Sequence, residues 1–306
     1  MSDMLKFITV VFAGLALAAC VSVNMPPVTD APTGAYLAGK VVWHDLLTDE
    51  PEASRRFYGE LFGWEFEELG LRVGTFRSIN YTLIRHHGRL IGGMVDTSRL
   101  NRDREVDISQ WIVLLSVEDI DQAVATLSEA GGTVFTPPTD LADRGRIAVV
   151  ADAQGALFSM LQTRDGDPAD TVPGIGDFLW DELWAADVEQ ATVFYQRLAN
   201  YDAENRFVED DSAGDQSSGY RVLSTNGTPR VGILANPVEG LQPVWVTYIR
   251  VEDPAAVTAK VNALGGQILL DAQQRDIGGR VALIAGPSGE GIALQTWDPE
   301  ALSAGD

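Results

Sequence analysis

Cysteine occurs once in these 306 residues and histidine three times. One thiol excludes an intrachain disulfide framework and any zinc site built on several cysteines, and three histidines leave little for imidazole-rich metal chemistry or for a Ser/His/Asp triad. Basic residues are scarce: 22 Lys+Arg stand against 44 Asp+Glu, a formal net charge of −22. That sign argues against nucleic acid as the main partner and against electrostatic docking on anionic headgroups. No glycine-rich phosphate loop with a lysine is present. What remains is the balance of a soluble globular protein, with 45% hydrophobic and 22% charged residues. At ~100–200 residues per domain, the length suggests about two domains.

The longest apolar run extends from Phe7 to Ala19 and follows Lys6. It is short of the ~20 residues a membrane helix needs and fits the apolar core of a secretory signal. Asp3 offsets Lys6, and a start at Met4 would remove that offset. The run ends Leu17-Ala18-Ala19-Cys20, which resembles a bacterial lipoprotein lipobox with the chain's one cysteine at its invariant place. The resemblance implies cleavage before Cys20 and lipid on the thiol and the new amino group, with acyl burial as the anchor. Val21 rather than aspartate follows, which by the same resemblance favours the outer membrane, facing the periplasm. Residues 20–39 contain Pro26, Pro27 and Pro32 without a period and are expected to be a tether.

The rest is one unit written twice. Trp43 and Trp180 each lead, at one common spacing, to an aromatic pair, Phe57-Tyr58 and Phe194-Tyr195. Tyr81 precedes Gly93 by the same interval at which Tyr220 precedes Gly232. Trp111 and Trp245 lead to Val-Glu-Asp and then, in equal steps, to Gly131-Gly132 and Gly265-Gly266. Arg146 and Arg280 follow in register, and after them Gly155 and Gly289. The units run over 40–165 and 177–301, joined by a linker at 166–176 and ended by a tail at 302–306. Within unit one, the periods predict a strand over 40–47, a helix over 49–62, then strands around turns such as His87-Gly88. The plan repeats from Trp111, with a helix over 120–130 closed by Gly131. Each unit is thus two βαβββ modules, in an α+β fold.

This plan resembles the vicinal oxygen chelate superfamily, which holds glyoxalase I, extradiol dioxygenases and bleomycin- and fosfomycin-resistance proteins. The stretches that carry the resemblance are Pro51 to Trp64, Val117 to Asp121, Ala130 to Gly132 and Asp152 to Gly155. It implies two tandem domains, each a curved sheet around a cup, and a divalent metal held in the cup by His, Gln or Glu. The expected ligand positions fall on Trp43, Ile112 and Ser159, and on Trp180, Val246 and Ala293, with the fourth in 90–94 and 231–234. None of these is a good ligand, so no metal residues and no cofactor are assigned.

Side chains alternate along a strand, which turns Trp43, Asp45 and Leu47 into the first cup, and Trp180, Glu182 and Trp184 into the second. Tyr248 and Arg250 are expected in the second cup, against Leu114 and Ser116 in the first. An acid between indoles suits a cationic ligand or a base of raised pKa, unless it pairs with Arg146 or Arg280 and the indoles fill a core. His44 then faces away as a structural residue, and His86-His87 is expected as an exposed hairpin pair with its rings apart. Three functions fit these residues. The leading one is a metal-independent binder of a small organic molecule, monomeric and lipid-anchored in the cell envelope. The second is a divalent-metal lyase or dioxygenase of glyoxalase type, and the third an interaction module with filled cups.

Overall fold

A computed structural model describes residues 24–73, 77–98, 108–206, 219–275 and 278–297. The segment expected to be a signal, Cys20 and the expected tail lie outside the described residues. The first unit is β1 (Val41–Thr48), α1 (Pro51–Phe62), β2 (Glu65–Val73), β3 (Arg77–His86), β4 (Arg89–Asp96), β5 (Gln110–Ser116), α2 (Ile120–Glu129), β6 (Thr133–Asp140), β7 (Gly145–Ala151) and β8 (Leu157–Thr163). The second is β9 (Phe178–Ala185), α3 (Val188–Ala199), β10 (Asp202–Arg206), β11 (Tyr220–Thr225), β12 (Thr228–Ala235), β13 (Val244–Arg250), α4 (Pro254–Val261), β14 (Gln267–Gln274), β15 (Arg280–Ala285) and β16 (Gly291–Gln295). Each unit forms one eight-stranded sheet, in the order β2-β3-β4-β1-β5-β8-β7-β6 and its counterpart β10-β11-β12-β9-β13-β16-β15-β14. The two modules of a unit meet where β1 pairs antiparallel with β5, and β9 with β13.

The repeated motifs have local causes. Asp119, Asp187 and Asp253 are N-caps whose carboxylates accept backbone N–H groups of the first helical turn, each worth about 1 kcal/mol. α1 starts instead on Pro51 and stops at Gly63, whose φ of 74° lets its N–H reach the Gly59 carbonyl. The His87-Gly88 and Asn226-Gly227 hairpins have both residues at positive φ (49° and 75°, 52° and 73°), the conformation that matches strand twist in two-residue loops. β6 runs on through Pro137 and Pro138 to Asp140, further than its sequence suggests; it is the sheet's outer strand, where a missing N–H breaks no ladder bond.

The helical faces of the two units pack together. Phe57, Tyr58 and Phe62 of α1 and Trp111 of β5 share a core with Ile249, Val261, Ala282 and Leu294 of the second unit. Phe158 and Leu127 share another with Leu183, Phe194, Tyr195 and Trp245. Buried phenols cross this interface. Tyr58 Oη donates to Glu290 at 2.9 Å and Tyr195 Oη to Asp152 at 3.1 Å, each accepting from an indole N–H, of Trp111 and Trp245. Burial pushes both phenols well above their ordinary pKa, with the adjacent carboxylates adding to it, so they serve as donors.

His44 lies on the same interface. Its Nε2 is 3.0 Å from both Asp181 carboxylate oxygens and its ring stacks on Phe178 at 3.9 Å. His86 corrects the sequence expectation: it is buried, with Nδ1 2.7 Å from Asp177. The turn folds His87 back so that the two rings lie 4.0 Å apart.

Residues 24–39 are not a free tether. Met25 and Val28 are 5% and 3% exposed, within the first cup's apolar cluster. Further on, Thr33 N donates to the Asp167 carbonyl and Leu37 N to its carboxylate, which also takes Ser116 and Thr163 hydroxyls. Met25 and Val28 carry no period among the prolines, which is why the sequence hid their role.

Candidate functional site: a polar cluster in each cup

Both cups are built from the strands at the module junction. In the first, β1 presents Trp43 and Asp45, and Asp45 pairs across to Gly93 on β4. Gly93 lacks a side chain because there is no room for one: a Cβ would stand 1.8 Å from the Tyr81 hydroxyl and 2.6 Å from Asp45 Oδ1. Tyr81 fills that space. Its hydroxyl donates to Asp45 Oδ1 at 2.6 Å and accepts from Trp43 Nε1 at 3.0 Å and Arg144 Nη1 at 2.8 Å. Trp43 Nε1 also reaches Asp45 Oδ1 at 2.9 Å. The Arg144 guanidinium lies 4.5 Å over the Trp43 ring, a cation–π geometry. Leu47, Ile112, Leu114 and Leu161 close the floor.

The second cup repeats the device with a closer ion pair. Glu182, fully buried, pairs across to Gly232, where a Cβ would stand 2.2 Å from the Tyr220 hydroxyl. Its carboxylate accepts from Tyr220 at 2.6 Å, from Tyr248 at 2.5 Å, and from Arg275 Nη2 at 2.6 and 2.7 Å. Trp180 Nε1 donates to the Tyr220 hydroxyl at 2.7 Å, and Arg275 Nη1 to Gln295. Burial raises the Tyr81, Tyr220 and Tyr248 phenols, each reinforced by its carboxylate, so all three stay protonated. Burial opposes the Arg275 charge, but Glu182 outweighs it and raises that pKa further.

Most of the expected residues come together: Trp43 and Asp45 in one cup, and Trp180, Glu182 and Tyr248 in the other. Trp184 joins the second cup's apolar cluster with Val246 and Ala293. Its buried Nε1 faces the Tyr248 hydroxyl, an interaction that lowers the phenol's pKa and offsets part of the rise that burial causes. Arg250 does not join: its Nη1 donates to the Pro173 carbonyl and its guanidinium covers Trp297, because it ends β13 beside the linker. Arg146 and Arg280 are not the acids' partners either. They bind Asp121 and Asp253 at the starts of α2 and α4. The cations in the cups are Arg144 and Arg275, from the connections between β6 and β7 and between β14 and β15, which sequence reasoning missed. A free acid for a cationic ligand is therefore absent from the second cup, where Arg275 already neutralises Glu182.

A divalent metal, which the resemblance implies, does not fit these residues. Each cup offers one carboxylate, already hydrogen-bonded to tyrosine. The other junction positions hold Trp43, Gly93, Ile112 and Ser159, or Trp180, Gly232, Val246 and Ala293. Among the described residues no three His, Cys, Asp or Glu side chains cluster as a ligand set.

Residues 41–161 match the family model of a glyoxalase-like domain. Solved structures share the architecture: an Mn(II)-bound glyoxalase from Novosphingobium aromaticivorans matches 85% of this chain and 82% of its own, with a TM-score of 0.56 at 12% identity. The first unit is thus similar to a glyoxalase-like domain, and the chain as a whole shares the tandem fold of these solved structures. The 2,3-dioxygenase LapB from Pseudomonas sp. KL28 has the same fold, with a TM-score of 0.54 at 14% identity over 87% of this chain and 95% of its own. Among curated relatives, "Putative glyoxylase CFP32" of Mycobacterium tuberculosis is 26% identical over 83% of this chain and 93% of its own length. Anthracycline biosynthesis protein DauV of a Streptomyces species is 27% identical over 85% and 94%. In this chain, the junction where the resemblance implies a metal carries tyrosine-bridged acid and arginine instead.

Proposed function

We propose that this protein is a metal-independent binder of a small organic molecule, held in a bacterial envelope by lipid on Cys20, and that it binds through the second cup. One observation carries the reading: the Glu182–Arg275–Tyr220–Tyr248 cluster sits beside the indoles of Trp180 and Trp184, as one fixed polar group set in an aromatic wall. Aromatic walls with a few fixed polar groups suit a small ligand. The relatives' names, a glyoxylase and an anthracycline biosynthesis protein, support a carbonyl-bearing ligand. The net charge of −22 supports a protein that avoids nucleic acid. The two shared cores support a monomer closed on itself.

The test has three arms. The soluble chain from residue 21, purified without tag or chelator, is assayed for metal after incubation with Zn, Fe, Mn and Ni; stoichiometric uptake would move the reading to a metal-dependent lyase or dioxygenase. A carbonyl-compound screen follows thermal shift, with Trp184→Phe expected to weaken every hit; hits unaffected by it refute the second cup. Labelling with a radioactive fatty acid is expected on wild type and lost in Cys20→Ser; an unlabelled wild type refutes the anchor. A second reading, an interaction module with filled cups, is favoured by the insertion of Met25 and Val28 into the first cup.

A further inference from the structure

Arg144 is 1% exposed, yet among the described residues no carboxylate lies within ion-pair distance of it. Its three donor groups are unequally used. Nη1 donates to the Tyr81 hydroxyl at 2.8 Å, Nε donates to the Pro26 carbonyl at 3.0 Å, and Nη2 is buried with no partner. Nε and Nη2 share one edge of the guanidinium, the edge that grips two carboxylate oxygens side by side. Here that edge is half filled by a neutral peptide oxygen. Asp45 reaches the guanidinium only through the Tyr81 hydroxyl, and a buried donor without an acceptor is costly. The second cup shows the contrast, for there Glu182 meets Arg275 directly.

The occupant of the space is the chain itself. Met25 and Val28 enter the apolar cluster, Met25 N donates to the Leu141 carbonyl at 3.2 Å, and Pro26 between them supplies the oxygen to Arg144. We propose that the first cup is a binding site for a small organic carboxylate, with Arg144 as its anion anchor and residues 25–28 as an internal occupant that the ligand displaces. The carboxylate fills both positions of the Nε–Nη2 edge and meets the cation directly, while its apolar body takes the place of Met25 and Val28. Ligand affinity is then reduced by the fraction of molecules in which the segment is seated, so loosening the segment tightens binding. This site is independent of the second-cup reading and stands or falls without it.

The experiment titrates the soluble chain from residue 21 with benzoate, and with benzamide as its neutral isostere. Binding is followed by tryptophan fluorescence and calorimetry, and amide hydrogen exchange is measured at Met25. Benzoate is expected to bind at least tenfold tighter than benzamide, to bind at least tenfold tighter again in Met25→Ser/Val28→Ser, and to lose saturable binding in Arg144→Met. In wild type, saturating benzoate is expected to speed exchange of the Met25 amide, because the segment leaves the cup. Equal affinity for benzoate and benzamide, no saturable binding to the loosened variant, or benzoate binding that leaves Met25 exchange unchanged or slower would each overturn the proposal. The exchange measurement uses the unmodified chain, so an Arg144→Met variant that fails to fold does not decide the outcome.

Discussion

Arg275→Met tests whether the second cup depends on its ion pair. Glu182 is fully buried, and its carboxylate is held by two phenols and by two hydrogen bonds from one guanidinium nitrogen. Removing the arginine strands a carboxylate away from water, a loss of about 3–5 kcal/mol for a broken buried pair. The methionine replaces much of the lost volume, so the penalty is mainly electrostatic. Adding Glu182→Gln removes the stranded charge, and the double variant is expected to lie within about 1–2 kcal/mol of wild type, since neutral replacement of a buried pair costs little. Urea denaturation at pH 7, followed by tryptophan fluorescence, measures both variants. A single-variant cost below ~1 kcal/mol, or a double variant no more stable than the single one, would refute the argument.

Three further outcomes are expected. Tyr195→Phe deprives Trp245 of an acceptor and buried Asp152 of a donor, costing about 1.5–3 kcal/mol in urea denaturation; an unchanged midpoint would show that this crossing bond does not hold the units together. Burial favours a raised pKa for Asp177, but His86, the Gly174 amide and Arg89 outweigh it and hold the carboxyl below its usual range. Its stabilisation is present above the unfolded value of ~3.9 and is lost as pH falls through the lower folded value, so Asp177→Asn is less stable than wild type at pH 6 and the gap closes below about pH 4; a pH-independent gap refutes this. Gly93→Ala drives a Cβ toward the Tyr81 hydroxyl and its ring carbon, 1.8 and 2.3 Å away, at a cost of about 1–3 kcal/mol in urea denaturation; an unchanged midpoint would show that Tyr81 moves aside freely.

The parts of this molecule that were legible in its sequence have local physical causes. Val-Glu-Asp recurs because the aspartate caps a helix, and Gly131 and Gly265 because the helix exit needs a φ near 90°. The spacing of Tyr81 from Gly93 was visible too, but not its reason, which is that the phenol occupies the space a β4 side chain would need. The cations were illegible. β6 and β14 carry register shifts against their neighbours, so counting along them does not say which residue turns inward. The repeat points to the wrong arginines. Arg146 and Arg280 match in register, yet both lie outside the cups, paired with Asp121 and Asp253 at the starts of α2 and α4. Arg144 falls just ahead of Arg146, whereas Arg275 stands further ahead of Arg280, so the two cup cations have no common position. Residues that recur in both units here mostly build the frame: caps, turns and the Trp–acid–Tyr–Gly core of each cluster. The cups diverge where the repeat breaks. One cation meets its acid directly and the other is left facing the chain's own N-terminal segment, so a ligand that distinguishes the cups must do so through Arg144 and Arg275.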